Sequence, residues 1–201
     1  MSSIKLTADS GGGTIEFKAP PTTTSNAAKV ITLSQNPGII TQVVQTVKTD
    51  TSSNSTGAYS YWNSDLTVAI TPSHASNKIL LTGYLQVAIA GIQYNIGLAL
   101  HKADSIITDY YADAAGSRGR TAVTGDNSPG GGGSYIPNAF ATMPFEFLDT
   151  AGGTSAITYG VAIRNPSSIT RLVKINYANT DTDSAAGVRA VSVITAMEVA
   201  V

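Results

Sequence analysis

The stretch "ITPSHASNKILLTGYLQVAI" (residues 70–89) decides the fold. From residue 78 onward, Ile79, Leu81, Leu85, Val87 and Ile89 fall on one side, with Lys78, Thr82, Tyr84 and Gln86 on the other. A period of two is that of an extended strand with one face toward a core. The preceding "DLTVAIT" (65–71) repeats the pattern, with Leu66, Val68 and Ile70 opposite Thr67, Ala69 and Thr71. Pro72 and "SHASN" supply turn chemistry between the two strands.

Further segments of the same kind follow: "IITQVVQTV" (39–47), "YNIGLALHK" (94–102), "SIITDYY" (105–111), "AFATMPFEFLD" (139–149), "SAITYGVAIR" (155–164), "TRLVKINYA" (170–178) and "GVRAVSVITAMEVAV" (187–201). Gly, Asn, Asp, Ser and Pro clusters separate them, and no window carries a 3.6-residue apolar stripe. This spacing predicts an all-β sandwich or barrel over residues 41–201. In the last segment both faces are apolar or small, with Val191, Val193, Met197 and Val199 on one and Ala190, Ile194 and Ala196 on the other. Such a strand is expected at the centre of a sandwich or at a contact between copies, which points to a homo-oligomer.

Residues 1–40 differ. "SIKLTA", "TIEFKA" and "KVITLSQ" are short apolar pieces separated by three glycines at 11–13 and by Pro20, Pro21 and a Thr run. None has the apolar residues to bury a core alone, so the segment is expected to fold against a partner, with a disordered leader as the alternative.

Charged residues make up 12% of the 201-residue chain, about half the usual ~25% share, and Ser, Thr, Asn, Gly and Ala are plentiful. With 12 Lys and Arg against 13 Asp and Glu the formal charge is −1, and basic residues are nowhere clustered. A phosphate-neutralising surface is therefore not expected, and nucleic acid is a poor partner. The chain lacks cysteine, which excludes disulfides, thiolate metal ligands and a thiol nucleophile. No apolar run reaches signal-peptide or membrane-spanning length, so neither a cleaved leader nor membrane insertion is expected.

Catalytic chemistry is equally thin. The two histidines, His74 in a polar turn and His101 at a strand end, have no metal-binding spacing and no evident nucleophile, so no catalytic, cofactor or metal site is assigned. "NTDTDSAAG" (179–187) places Asp181 and Asp183 in one loop that lacks the closing Glu of a calcium-binding helix–loop–helix, leaving cation binding there open. "GDNSPGGGGSYIPN" (125–138) is glycine-rich without the Gly-Lys-Ser/Thr ending of a phosphate loop. Long loops on a rigid β scaffold are where recognition is usually placed. The tyrosines beside the loops, Tyr110, Tyr111 and Tyr135, are the candidate receptor-binding residues, since a phenol offers a flat apolar face with a polar tip.

Several segments, in order, resemble fibre and receptor-binding structural proteins of tailed bacteriophages, particularly those of marine and cyanobacterial hosts. They are "SIKLTADSGGGTIEFKAPPTTTSNAAKVITL", "ITPSHASNKILLTGYL", "DAAGSRGR", "FLDTAGGTSAITYGVAIRN" and "ITAMEVA". The resemblance implies a virion protein assembled in the host cytoplasm. Its N-terminal segment would attach to other capsid or tail proteins, and residues 41–201 would form a homotrimeric jelly-roll or tumour-necrosis-factor-like knob exposed to host-surface glycan. No shaft of repeats is present, so a short fibre is expected, with a capsid-decorating or cement protein as the alternative. A polysaccharide-processing enzyme is the less favoured reading.

Overall fold

The computed structural model describes residues 3–7, 14–18, 38–89, 95–126, 140–165, 168–178, 180, 181, 183, 185 and 187–201. The chain divides into two compact units, Met1–Gln35 and Asn36–Val201. In the first, β1 (Ser3–Thr7) pairs antiparallel with β2 (Thr14–Lys18), Leu6 opposite Ile15. These are two of the three short pieces expected there; "KVITLSQ" lies outside the described residues.

The second unit is built from β3 (Ile40–Lys48), β4 (Ser52–Thr56), β5 (Tyr61–Ile70), β6 (Lys78–Ile89), β7 (Asn95–Lys102), β8 (Ser105–Ile106), β9 (Val123–Asp126), β10 (Ala141–Thr150), β11 (Ile157–Arg164), β12 (Arg171–Ile175) and β13 (Ser192–Val199). Every pairing is antiparallel, and the strands form two sheets. The six-stranded sheet is centred on β6. Along one edge of β6 runs β10, from Thr150↔Lys78 to Ala141↔Val87. Along the other, β13 covers Lys78–Tyr84 and β12 continues in line over Val87–Ile89, with β3 and β4 beyond them. The five-stranded sheet runs β5, β11, β7, with β9 and β8 in line along the far edge of β7.

The alternating residues of β6 behave as their spacing requires: Ile79, Leu81, Leu85, Val87 and Ile89 are all fully buried. They share one core with Leu66, Val68 and Ile70 of β5, Leu98 and Leu100 of β7, Val161 and Ile163 of β11, and Ile194 and Ala196 of β13. Each large aliphatic side chain so removed from water contributes about 1.5–3 kcal/mol, set against the ordering of its backbone. Gly83 interrupts the row because Phe145 and the Val193 carbonyl occupy the space: a Cβ there would stand 2.1 Å from that oxygen.

Two expectations need correction, and one strand forms where no alternating pattern predicts it. "SIITDYY" is not one strand: Ala103 and Asp104, at φ +47° and +63°, reverse the chain after β7. β8 then pairs for two residues, and a 3₁₀ turn (Thr108–Tyr110) follows. The last strand begins only at Ser192, and in the single chain its two faces differ. Ile194 and Ala196 lie in the core, whereas Val193, Met197 and Val199 on the other face are only partly buried. Finally, the polar run at 49–56 contains β4, a strand with no apolar residue. It is held by two buried asparagines. The Asn176 amide donates to the Lys48 and Asp50 carbonyls before β4, and the Asn165 amide donates to those of Thr56 and Gly57 after it.

Candidate functional site

The outer face of the five-stranded sheet is lined by small residues. Gly97 of β7 lies opposite Arg164 of β11, Ala99 opposite Ala162, and His101 opposite Gly160. The absence of bulk lets residues 107–122 cross this face. The crossing is anchored in the backbone, Ile107 to Leu100 and Ala122 to Leu98, and by the Thr121 side chain packed over Gly97.

Tyr110 and Tyr111 pin that segment in diverging directions. The Tyr110 ring packs on Phe147 of β10 with centroids 4.9 Å apart, and its hydroxyl accepts the Glu146 backbone N–H. Because β10 is an edge strand, this caps one of its free donors, while Pro144, two residues earlier on the same edge, has none to cap. Tyr111 instead donates to the Tyr61 hydroxyl at 2.8 Å and lies under the Arg120 guanidinium. Burial, then the bond to Tyr61, pushes the Tyr111 phenol well above its ordinary value. Of the candidate receptor-binding residues, Tyr110 and Tyr111 are thus partly buried and hold one loop through different partners, and Tyr135 lies outside the described residues.

Between the crossing segment and the sheet is a cavity of about 190 Å³, bounded by Tyr59, Gly97, Ser117, Gly119, Thr121, Thr124 and Arg164. Arg164 ends β11, and its guanidinium occupies the space that a Cβ on Gly119 would fill. Tyr59, more than half exposed at the cavity mouth, is held at φ +53°, a backbone conformation unusual for a bulky residue.

The other candidates are placed apart from it. Asp181 receives Arg189 Nη2 at 2.7 and 2.8 Å, so its carboxylate is engaged by a cation of the protein itself, and Asp183 is exposed. Among the described residues no group of three or more His, Asp or Glu is arranged to hold a metal ion. His74 is exposed; His101 is buried, and neither ring nitrogen has a hydrogen-bond partner among the described residues. Burial pushes the His101 imidazole below its usual value, with Asp104 opposing. No helix among the described residues is long and apolar enough to cross a membrane.

No protein-family model matches the chain, and no curated protein is similar to it.

The second feature is the outer face of the six-stranded sheet. Register places Leu148, Leu80, Met197 and Val43 in one row across β10, β6, β13 and β3, and Pro144, Tyr84, Val193 and Val47 in another. A polar row, Glu146, Thr82, Thr195 and Gln45, lies between them. Val43 is 59% exposed and Leu148 53%. Leu80, Met197, Tyr84 and Val193 in the middle of the rows are partly buried, while Leu148, Val43, Val47 and Pro144 at their ends are exposed; apolar surface grouped in this way is a feature of association surfaces. Their signal was present in the sequence as the two-sided last strand. Nothing in the sequence singles out Arg164, whose cavity depends on a loop folding back over it.

Proposed function

We propose that this chain is a non-enzymatic virion structural protein of a tailed bacteriophage. In this reading it is a short homotrimeric fibre or knob whose residues 1–40 dock to the particle and whose residues 41–201 are exposed for attachment to host-surface glycan. The observation that carries the reading is the asymmetry of the two outer faces. One is a pair of apolar rows, suited to sister copies; the other is overlaid by the chain's own loop and carries a hydroxyl-lined cavity. Burying the first in a closed ring hides it in every copy and leaves the second outward in each.

Strand order supports a jelly-roll or tumour-necrosis-factor-like sandwich. The order β3, β13, β6, β10 in one sheet faces β5, β11, β7, β9 in the other. Successive long strands cross between sheets in the manner of that architecture. The phage setting rests on the sequence resemblance. Weak individual sites suffice in such a setting, since several copies linked on one particle raise the effective concentration of the others.

Competition tests the reading. Purified chain added in excess to host cells is expected to block adsorption of particles that carry it. Unchanged adsorption with normal incorporation into particles would instead favour a capsid-decorating role.

A further inference from the structure

We propose that the cavity beside Arg164 binds a single anionic sugar unit, with a uronate-type carboxylate on the guanidinium and ring hydroxyls on Ser117, Thr121 and Thr124. This rests on the glycan-attachment reading and names the class of glycan.

The first support is an unmet demand. Arg118 donates to the Ala115 carbonyl, Arg120 to that of Ala112, and Arg189 to Asp181. Arg164, partly buried and lining the cavity, makes no hydrogen bond or ion pair among the described residues. A guanidinium brings five N–H donors and no acceptor, and shielding it without a partner is unfavourable. A carboxylate supplies two parallel acceptors matched to that fork.

The second support is the shape and chemistry of the walls. The guanidinium is positioned before any ligand arrives, because it sits against the Gly119 backbone in the space a side chain there would fill. Preorganised donors lose little freedom on binding. Three hydroxyl side chains provide donors and acceptors suited to sugar hydroxyls, and the exposed Tyr59 ring offers a flat apolar face at the mouth. A volume of about 190 Å³ falls below the ~300 Å³ at which drug-sized sites begin, so one ring fits and an oligosaccharide chain does not.

The experiment is a titration of the full chain, followed by amide chemical shifts, with glucuronate, glucose and inorganic phosphate as probes. Glucuronate is expected to shift the amides of Gly119 and Thr121 and to bind at least ten-fold more tightly than glucose. Arg164→Gln is expected to abolish that preference while keeping the wild-type β-sheet circular dichroism. Ser117→Ala, in an exposed turn, is expected to weaken glucuronate binding two- to five-fold, so the proposal stays testable should Arg164→Gln not fold. Equal binding of glucose, or phosphate binding as tightly as glucuronate, would overturn it, as would shifts absent from Gly119 and Thr121. Competition for adsorption without glucuronate binding would sink this inference and leave the attachment reading standing. Glucuronate binding at Arg164 with no competition for adsorption would do the reverse.

Discussion

The Ser192 hydroxyl donates to the Asn176 side-chain oxygen at 2.6 Å across sixteen residues, and at that bond the chain leaves one strand row and re-enters it. β12 ends at Ile175 beside Val87, and β13 begins at Ser192 in line along the same edge of β6. Asn176 makes the exit at φ +64°, a left-handed conformation that Asn tolerates better than most residues. Its backbone N–H donates to Gln86, and its carbonyl accepts from Ala190.

Asn176→Ala removes three side-chain hydrogen bonds at a fully buried position. Leaving the Lys48 and Asp50 carbonyls and the Ser192 hydroxyl unmatched is expected to cost about 3 kcal/mol or more. Urea unfolding checks this, and a loss under about 1 kcal/mol would show that the clasp is dispensable. Replacing residues 180–187 with a short glycine linker is expected to leave stability nearly unchanged, because the clasp ties the end of β12 to the start of β13 without them.

Gly83→Ala forces a Cβ to 2.1 Å from the Val193 carbonyl and 2.8 Å from the Phe145 ring. Backbone oxygen cannot swing aside as a side chain can, so a loss of about 3 kcal/mol is expected. Gly153→Ala, facing open space, is the control and is expected to be neutral.

Stability is expected to fall in two steps on acidification. Burial favours the neutral His101, whose folded value lies below 6.5. Its contribution is therefore full above pH 6.5 and lost as pH drops below it. Burial opposes ionisation of Glu198, but bonds from Asn77 and Ser73 outweigh it and hold the carboxyl down to about 2, against 4.5 for the unperturbed group. That contribution is full above pH 4.5 and disappears as pH falls toward 2. Denaturant midpoints measured from pH 8 to 2.5 check both: His101→Leu is expected to lack the upper step and Glu198→Gln the lower.

Tyr110→Phe is expected to lower stability by about 1 kcal/mol through the uncapped Glu146 N–H, with glucuronate affinity unchanged. A selective loss of affinity instead would restore Tyr110 to the binding surface.

The alternation of β5 and β6 made the sandwich legible in the sequence, since Leu66 to Ile89 carry an uninterrupted apolar face whose only gap is Gly83. β4 was not legible. "SSNST" has no hydrophobic signal, and it is a strand because Asn165 and Asn176, more than a hundred residues away, grip the carbonyls at its two ends. The site was hidden for a similar reason. Tyr110 and Tyr111 stood out as aromatic residues beside a loop, and that loop folds back so that their hydroxyls bond to the Glu146 N–H and to Tyr61. What remains open is Arg164, an ordinary strand-end residue until Gly119 is laid across it.

We propose that copies of this chain meet on the apolar outer face of β10, β6, β13 and β3. The most direct measurement is the sedimentation-equilibrium mass of the purified full chain, with and without the pair Val43→Glu and Leu148→Glu. The expected result is three times the 20.7 kDa chain mass for the unaltered protein and a single folded chain for the pair. An unaltered protein that sediments as a stable single chain at micromolar concentration would contradict the claim.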